Sequence, residues 1–215
     1  MRYNAKGGNR LRGPYPSSEN LIQREIRENR EARKQRIEKD IDRFGSDILD
    51  SDEMKEAYDQ THHLWSTVGE HTLRVAESSV RLCYALRKLR IKTNIPEVVI
   101  GSLCHDLGIL GRSGKFESGK ECLKEHPTES VKVAKELVPD LSEKSADIIE
   151  RHMWPAGKSR IPNSLESIIV SVVDKHVAIK DLIKGSDINK TGVRRTVTSK
   201  KDSLKENIKD RFMNE

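Results

Sequence analysis

Four histidines and two aspartates, His71, the adjacent pair His105-Asp106, His126, His152 and Asp174, are spaced through the middle of this chain so that each position can sit on its own helix. Imidazole nitrogens and carboxylate oxygens together suit Mn, Fe, Co, Ni or Zn better than Ca or Mg. Asp106 and Asp174 stand in apolar stretches, where a buried carboxylate is costly unless something cationic compensates it. Lysines and arginines are scarce on those helix faces, so a divalent metal held by the four neutral imidazoles is the economical compensation. Each histidine alone reads as a satisfied core or surface residue. The six together, with both carboxylates turned inward, read as a metal site.

The elements that must position these residues are helical. Ile22, Ile26, Ile37, Ile41 and Phe44 recur on one narrow stripe of a charged helix from about Glu19 to Phe44, which Gly45 is expected to end. The stripe suits docking on the domain or pairing with a second copy. Asp50 and Glu53 resemble a capping pair for a short helix through about Gln60. Thr67 and Glu70 fit a capping box, opening a helix to about Arg90 on which His71 shares an inward face with Val75, Leu82, Leu86 and Leu89.

Pro96 suits the first turn of the next helix, which is apolar nearly all round and therefore central. Gly108 and Gly111 should stop it, leaving His105 and Asp106 in its last turn. Residues 112–125 read as a polar loop that keeps Arg112 and Lys115 near that end. Pro127 is expected to open a helix with His126 at its start, and Pro139 to close it. Asp140 and Glu143 can cap the helix that ends at His152, and after Pro162 a long helix carries Asp174. No strand pattern of useful length and no internal repeat appears. The fold class is therefore all-α, a single helical bundle with an extra charged N-terminal helix.

The 215 residues suit one domain with extensions: a flexible basic tail at 1–18, a helical extension at 19–60, the core domain at 61–183 and a polar C-terminal extension at 184–215. The net charge of +6 resides in the ends, with +4 in residues 1–18, −1 in 19–180 and +3 in 181–215. The basic tails could attract phosphate polyanions, nucleic acid included, but a site in the central segment is not nucleic-acid-binding on overall charge. The longest apolar runs are too short to span a bilayer, and the N-terminus lacks a secretory signal. Cys83, Cys104 and Cys122 form neither an even disulfide set nor a Cys-x-x-Cys pair, so a cytoplasmic protein is expected.

Val-Gly-Glu-His71-Thr, Leu-Cys-His105-Asp106-Leu-Gly, Glu-His126-Pro, Glu-Arg-His152-Met-Trp-Pro and Val-Val-Asp174-Lys175 resemble the motifs of the HD-domain metal-dependent phosphohydrolases over roughly residues 62–180. The resemblance implies metal binding by His71, His105, Asp106 and Asp174. It further implies a second ion on Asp106, His126 and His152, as in family members that hold two metals. Asp106 would then bridge two divalent transition metal ions, typically about 3.5–4 Å apart, which activate a water for in-line attack at phosphorus. Lys175, Arg112 and Lys115 are candidates to stabilise the phosphate charge. His62-His63 lies just upstream of the first ligand helix and could approach substrate, but such a pair is more often exposed polar filler, and His176 points elsewhere.

The chain lacks the Glu-Asp pair of guanosine-tetraphosphate hydrolases and the Gly-Tyr-Pro motif of cyclic-di-guanylate phosphodiesterases. The leading expectation is an enzyme cleaving a phosphomonoester or phosphodiester of a nucleotide-like substrate. Two other readings stay open: a metal- or nucleotide-binding module without turnover, and a nucleic-acid-associated protein acting through its basic tails.

Overall fold

The computed structural model describes residues 18–63, 66–156 and 159–191. The expected basic tail up to residue 17, the polar extension beyond residue 191 and the His63 side chain lie outside the described residues. Within them the chain is all-α, with a single two-stranded hairpin. The helices are α1 (Ser18–Leu49), α2 (Asp52–Asp59), α3 (Val68–Lys88), α4 (Ile95–Cys104), α5 (Arg112–Lys115), α6 (Gly119–Leu137), α7 (Glu143–Arg151) and α8 (Leu165–Thr191). The strands β1 (Thr61–His63) and β2 (Ser66–Thr67) pair antiparallel between α2 and α3.

Helix α4 is the hub. Val98, Val99, Leu103 and Cys104 are fully buried, and the helix packs against α1, α3, α6, α7 and α8. An apolar helix of this kind is stable only when enclosed on all sides. Its neighbours supply that enclosure through Val75, Val80, Ile148, Ile149, Ile169 and Val173. The second half of α1 joins the same core through Ile37, Ile41 and Ile48, as α2 does through Met54 and Ala57. The N-terminal stripe thus divides. Its Ile37 and Ile41 dock, whereas Ile22 and Ile26 stay exposed on a stretch of α1 that stands clear of the core. On α8 the outward face keeps Leu165, Ile168, Val172, Ile179, Leu182 and Ile183 exposed.

Several boundaries differ from the sequence reading for local reasons. Gly45 does not end α1, which runs on to Leu49. A glycine in a helix interior costs about 1 kcal/mol against alanine, and here α4 demands it: a Cβ at Gly45 would lie 2.3 Å from Leu103 Cδ1. Helix α2 is capped by Ser51, whose hydroxyl accepts from the Met54 amide, rather than by Asp50. Likewise Ser142, not Asp140, caps α7. The capping box of Thr67 and Glu70 is present in both directions. Helix α3 stops at Lys88 as Arg90 turns to φ 62°, so Leu89 leaves the buried face and lies exposed, while Leu82 and Leu86 are half-buried.

The largest revision concerns residues 112–137. The expected polar loop contains the short α5 and the first two turns of α6, which Ser118 caps by accepting from the Glu121 amide. His126 therefore sits within a helix and Pro127 inside it. Proline removes the N–H that would reach the Leu123 carbonyl, which opens the ladder at this turn without ending the helix. His105 follows the last residue of α4, and Leu107–Ile109 form a single 3-10 turn. That turn lies so close to α6 that a Cβ on Gly108 would meet Ser130 N at 2.3 Å and the His126 carbonyl oxygen at 2.4 Å.

These two glycines give a graded prediction for denaturant unfolding. Gly45→Ala pushes on a side-chain tip that can yield and should cost about 1–3 kcal/mol, the usual range for overpacking. Gly108→Ala pushes on α6 backbone and should cost more than Gly45→Ala. Equal midpoints for wild type and Gly108→Ala would refute this packing of the turn on α6.

Candidate metal centre

Six helix-borne side chains from five elements meet beneath α4. His71 comes from the first turn of α3, His105 and Asp106 from the end of α4, His126 from α6, His152 from the end of α7 and Asp174 from α8. All six are buried. The site thus assembles at the one place where α3, α6, α7 and α8 all approach the hub helix.

The tautomers follow from hydrogen bonding. Nδ1 of His105 lies 2.7 Å from the Ser102 carbonyl oxygen, Nδ1 of His126 lies 2.8 Å from that of Cys122, and Nδ1 of His152 lies 2.7 Å from that of Ile149. A carbonyl only accepts, so each Nδ1 carries the proton and donates. The Nε2 lone pairs then face inward. His105 and His152 cap the C-terminal ends of their helices, where the last carbonyls have no intrahelical partner. Fixing a ligand ring through its other nitrogen is the usual support for a metal-binding histidine.

Asp106 divides the cluster in two. Its Oδ1 lies 3.4 Å from Nε2 of both His126 and His152. Its Oδ2 lies 3.4 Å from Nε2 of His105 and 3.9 Å from Nε2 of His71. Asp174 Oδ1 closes the second group, 2.9 Å from His71 Nε2 and 3.7 Å from His105 Nε2. His71, His105 and Asp174 form one triplet able to hold an ion, and Asp106, His126 and His152 form another.

The donors fit a metal. Donors about 2.0–2.2 Å from a shared ion are separated by about 3.0 Å at right angles and about 3.4 Å at tetrahedral angles; most separations here fall near those values, with His105–Asp174 at 3.7 Å and His71–Asp106 at 3.9 Å wider. Two features also suit a cation. Nε2 of His126 and His152 face each other at 3.0 Å although both Nδ1 atoms hold the protons, which sets two lone pairs against one another. Nε2 of His105 is fully buried and makes no directed hydrogen bond among the described residues. An ion in each group would satisfy both.

The charge balance agrees. Burial opposes the charged form of His105, yet Asp106 and Asp174 beside it raise the imidazole to about 10. Burial also opposes the charge on His71, which Asp174, Asp181 and Asp106 nevertheless raise above its ordinary value. Burial resists ionisation of Asp106 and Asp174, and the surrounding imidazoles outweigh it, holding both carboxyls well below the usual carboxylate range. Burial lowers His152, which stays a neutral donor. The two carboxylates therefore stay ionised, and in the absence of an ion the positive charge beside them falls to the His105 and His71 imidazoles, the place a bound cation would take.

A family profile described as HD domain matches residues 68–179, just over half of the chain. The chain belongs to the HD domain family. Its helical architecture agrees with that membership; HD domains are generally metal-dependent phosphohydrolases, and the buried His/Asp cluster is consistent with metal binding. No curated protein and no solved structure matches the chain. No helix of the described residues is long and apolar enough to cross a membrane.

A cavity of about 690 Å³ opens over the HD cluster. Asp106, His126, His152 and Asp174 form its floor, and Ile109, Phe116, Leu123 and Met153 contribute apolar wall. Two of the three expected cations line it. Arg112 is held by the Thr61 carbonyl at 3.0 Å, and Lys175 hydrogen-bonds the His152 carbonyl and lies 3.2 Å from Asp174 Oδ2. Burial lowers the Lys175 ammonium despite that carboxylate. Lys115 stands apart, bonded to the Gly108 carbonyl at 3.2 Å and paired with Glu129 at 3.1 Å. His176 is exposed, as expected.

Two residues stand closer to the cluster than the sequence reading put them. His62, placed near substrate at most and more readily read as exposed filler, is on β1 with its ring 14% exposed and Nε2 3.4 Å from Asp106 Oδ2. Asp181 lies 3.7 Å from His71 Nδ1 and takes a 2.6 Å bond from Arg74. Its spacing of seven from Asp174 puts both carboxylates on one face of α8, a signal present in the sequence.

The cysteines divide by environment. Burial raises all three thiols, Cys104 to about 12, but Cys104 and Cys83 are buried whereas Cys122 is half-buried and lines the cavity. At pH 8 a small disulfide reagent should therefore modify one thiol per native chain, at Cys122, and all three after denaturation. Modification of Cys104 in the native protein at a comparable rate would contradict the packing of α4.

Proposed function

We propose that this HD domain is a phosphohydrolase that cleaves a phosphomonoester or phosphodiester of a nucleotide-like substrate, with two divalent transition metal ions as cofactors. The observation that carries this reading is the division of imidazoles between the two oxygens of Asp106. One carboxylate facing two separate donor groups suits a bridge between two ions. When bound, such ions supply Lewis-acid polarisation at phosphorus and lower the pKa of water.

The chain's own residues account for the rest. His71, His105, Asp106 and Asp174 are the proposed ligands of one ion, and Asp106, His126 and His152 those of the other. The carbonyls of Ser102, Cys122 and Ile149 fix three of the rings, so little rearrangement accompanies loading. Arg112 and Lys175 flank the cavity where a phosphoryl group would reach the cluster, and both are suited to hold its oxygens. Phe116, Leu123 and Met153 offer an apolar wall for a base or sugar, and a volume of about 690 Å³ falls within the usual range for small-molecule sites. Lys115, tied to Glu129, is the weakest of the proposed phosphate contacts.

Metal analysis together with a phosphate-release panel tests the reading. Wild type should carry two ions per chain and hydrolyse at least one nucleotide-like phosphoester. Asp106→Ala, which removes the shared ligand, should lose both ions and fall by at least about 10³-fold, the scale on which lost metal activation acts. His126→Ala and His152→Ala should each retain one ion. Two ions with no turnover on any phosphoester would favour a binding module without catalysis. Absence of bound metal in wild type would overturn the proposal.

A further inference from the structure

We infer that His62 is a seventh protein ligand, delivered by the β1–β2 hairpin to the ion proposed for His71, His105, Asp106 and Asp174; this rests on the metal reading above. Nε2 of His62 approaches Asp106 Oδ2 to 3.4 Å, the same separation as His105 Nε2 from that oxygen. An N–H···O hydrogen bond spans about 2.7–3.2 Å, so 3.4 Å is long for one. It falls between the edges of about 3.0 Å and about 3.6 Å that donors at 90° and 120° make on a five-coordinate ion with bonds of about 2.1 Å. His62, His71 and Asp106 also form a third triplet whose donor atoms lie within 4.8 Å of one another. The rings of His62 and His71 lie with centroids 4.5 Å apart at a tilt of 42°, and both face Oδ2 of Asp106, whereas His126 and His152 face Oδ1.

The hairpin is built to hold this position. Gln60, the residue that ends α2, uses both ends of its amide: Nε2 donates to the Ile109 carbonyl at 2.8 Å, and Oε1 accepts from the Gly111 amide at 2.8 Å. Its own carbonyl accepts from the Val68 amide at 2.9 Å, at the start of α3. Arg112 then bonds the Thr61 carbonyl. Two residues before His62, the chain is therefore clamped to the turn that follows His105-Asp106, and one residue before it is tied again. This is a costly arrangement of directed bonds for a residue that only lines a wall.

The consequence is an unequal centre. With His62 the first ion has five protein ligands and the second, on Asp106, His126 and His152, has three. Sites filled by protein are structural, whereas sites with open positions admit water and substrate. The second ion therefore takes the substrate, on the side of the cavity lined by Cys122, Leu123 and Met153.

The test compares metal-loaded wild type with His62→Ala and His62→Phe, the second keeping a ring against His71 without a donor. Each is dialysed against graded chelator, its ions are counted, and its Co(II) absorption spectrum is recorded alongside far-UV circular dichroism. Both variants should keep the helical spectrum, release one of the two ions at roughly 10- to 100-fold lower chelator strength, and change the Co(II) bands. Gln60→Ala should shift release in the same direction by less. Wild type with two ions and His62 variants identical to it in affinity and spectrum would overturn this inference alone. Wild type that binds no ion would overturn the metal reading as well.

Discussion

The structure depends on one electrostatic constraint, the ionised carboxylate of Asp106 enclosed by protein at the end of the central helix. Such a charge is tolerated only when opposite charge and directed donors surround it. Here α3, α6, α7 and β1 each bring an imidazole toward Asp106, and the end of α4 adds His105. The helices would bury their apolar faces around α4 in any of several registers. Only a register that turns these rings onto Asp106 leaves that charge compensated. Packing supplies most of the stability, while the carboxylate selects among packings.

Helix irregularities carry much of the local positioning. Three of the rings are fixed by carbonyls three or four residues earlier in the chain. His105 and His152 use helix ends, where carbonyls without an intrahelical partner always occur. His126 lies inside α6 and shares the Cys122 carbonyl with the helix ladder, next to the Leu123 carbonyl that Pro127 leaves without a donor. The Trp154-Pro155 segment after His152 and the 3-10 turn after Asp106 likewise end their helices directly behind a residue of the cluster. The chain keeps its helices regular in the core and breaks them at the His/Asp cluster.

The six clustered residues were legible in the sequence because imidazoles and carboxylates set in apolar, helix-forming stretches are costly to bury unless they share a cation. The central place of α4 was legible too, since an amphipathic helix could not have been apolar all round. What escaped was set by partners distant in sequence. Gly45 reads as a stop until Leu103 is seen to need the space. Pro127 reads as a helix start, because the Ser118 cap and the rest of α6 outweigh one missing hydrogen bond in a polar stretch with little periodicity. His62 reads as surface because a strand of three residues has no pattern to reveal its face, and its position is set by Gln60 bonding to residues about fifty positions on. Local signals identified what the donors are, and long-range contacts decided which of them arrive.

The two halves of the cluster also differ in charge, and this follows from α8. That helix presents Asp174 to His71 Nε2 and, two turns later, Asp181 toward His71 Nδ1, with Arg74 binding Asp181 from outside. His71 is thus the one ring of the four supported by a carboxylate instead of a carbonyl. A carboxylate behind a ligating imidazole raises its basicity, in keeping with the upward shift of His71 despite burial. The half built on His71, His105 and Asp174 therefore combines two carboxylates with an electron-rich ring. The half built on His126 and His152 shares Asp106 and otherwise offers neutral rings. A cation in the first half would be held by two carboxylates, whereas one in the second would keep more of its charge for an incoming anion. Arg112 and Lys175, on the wall of the same cavity, would add to the field that such an anion meets.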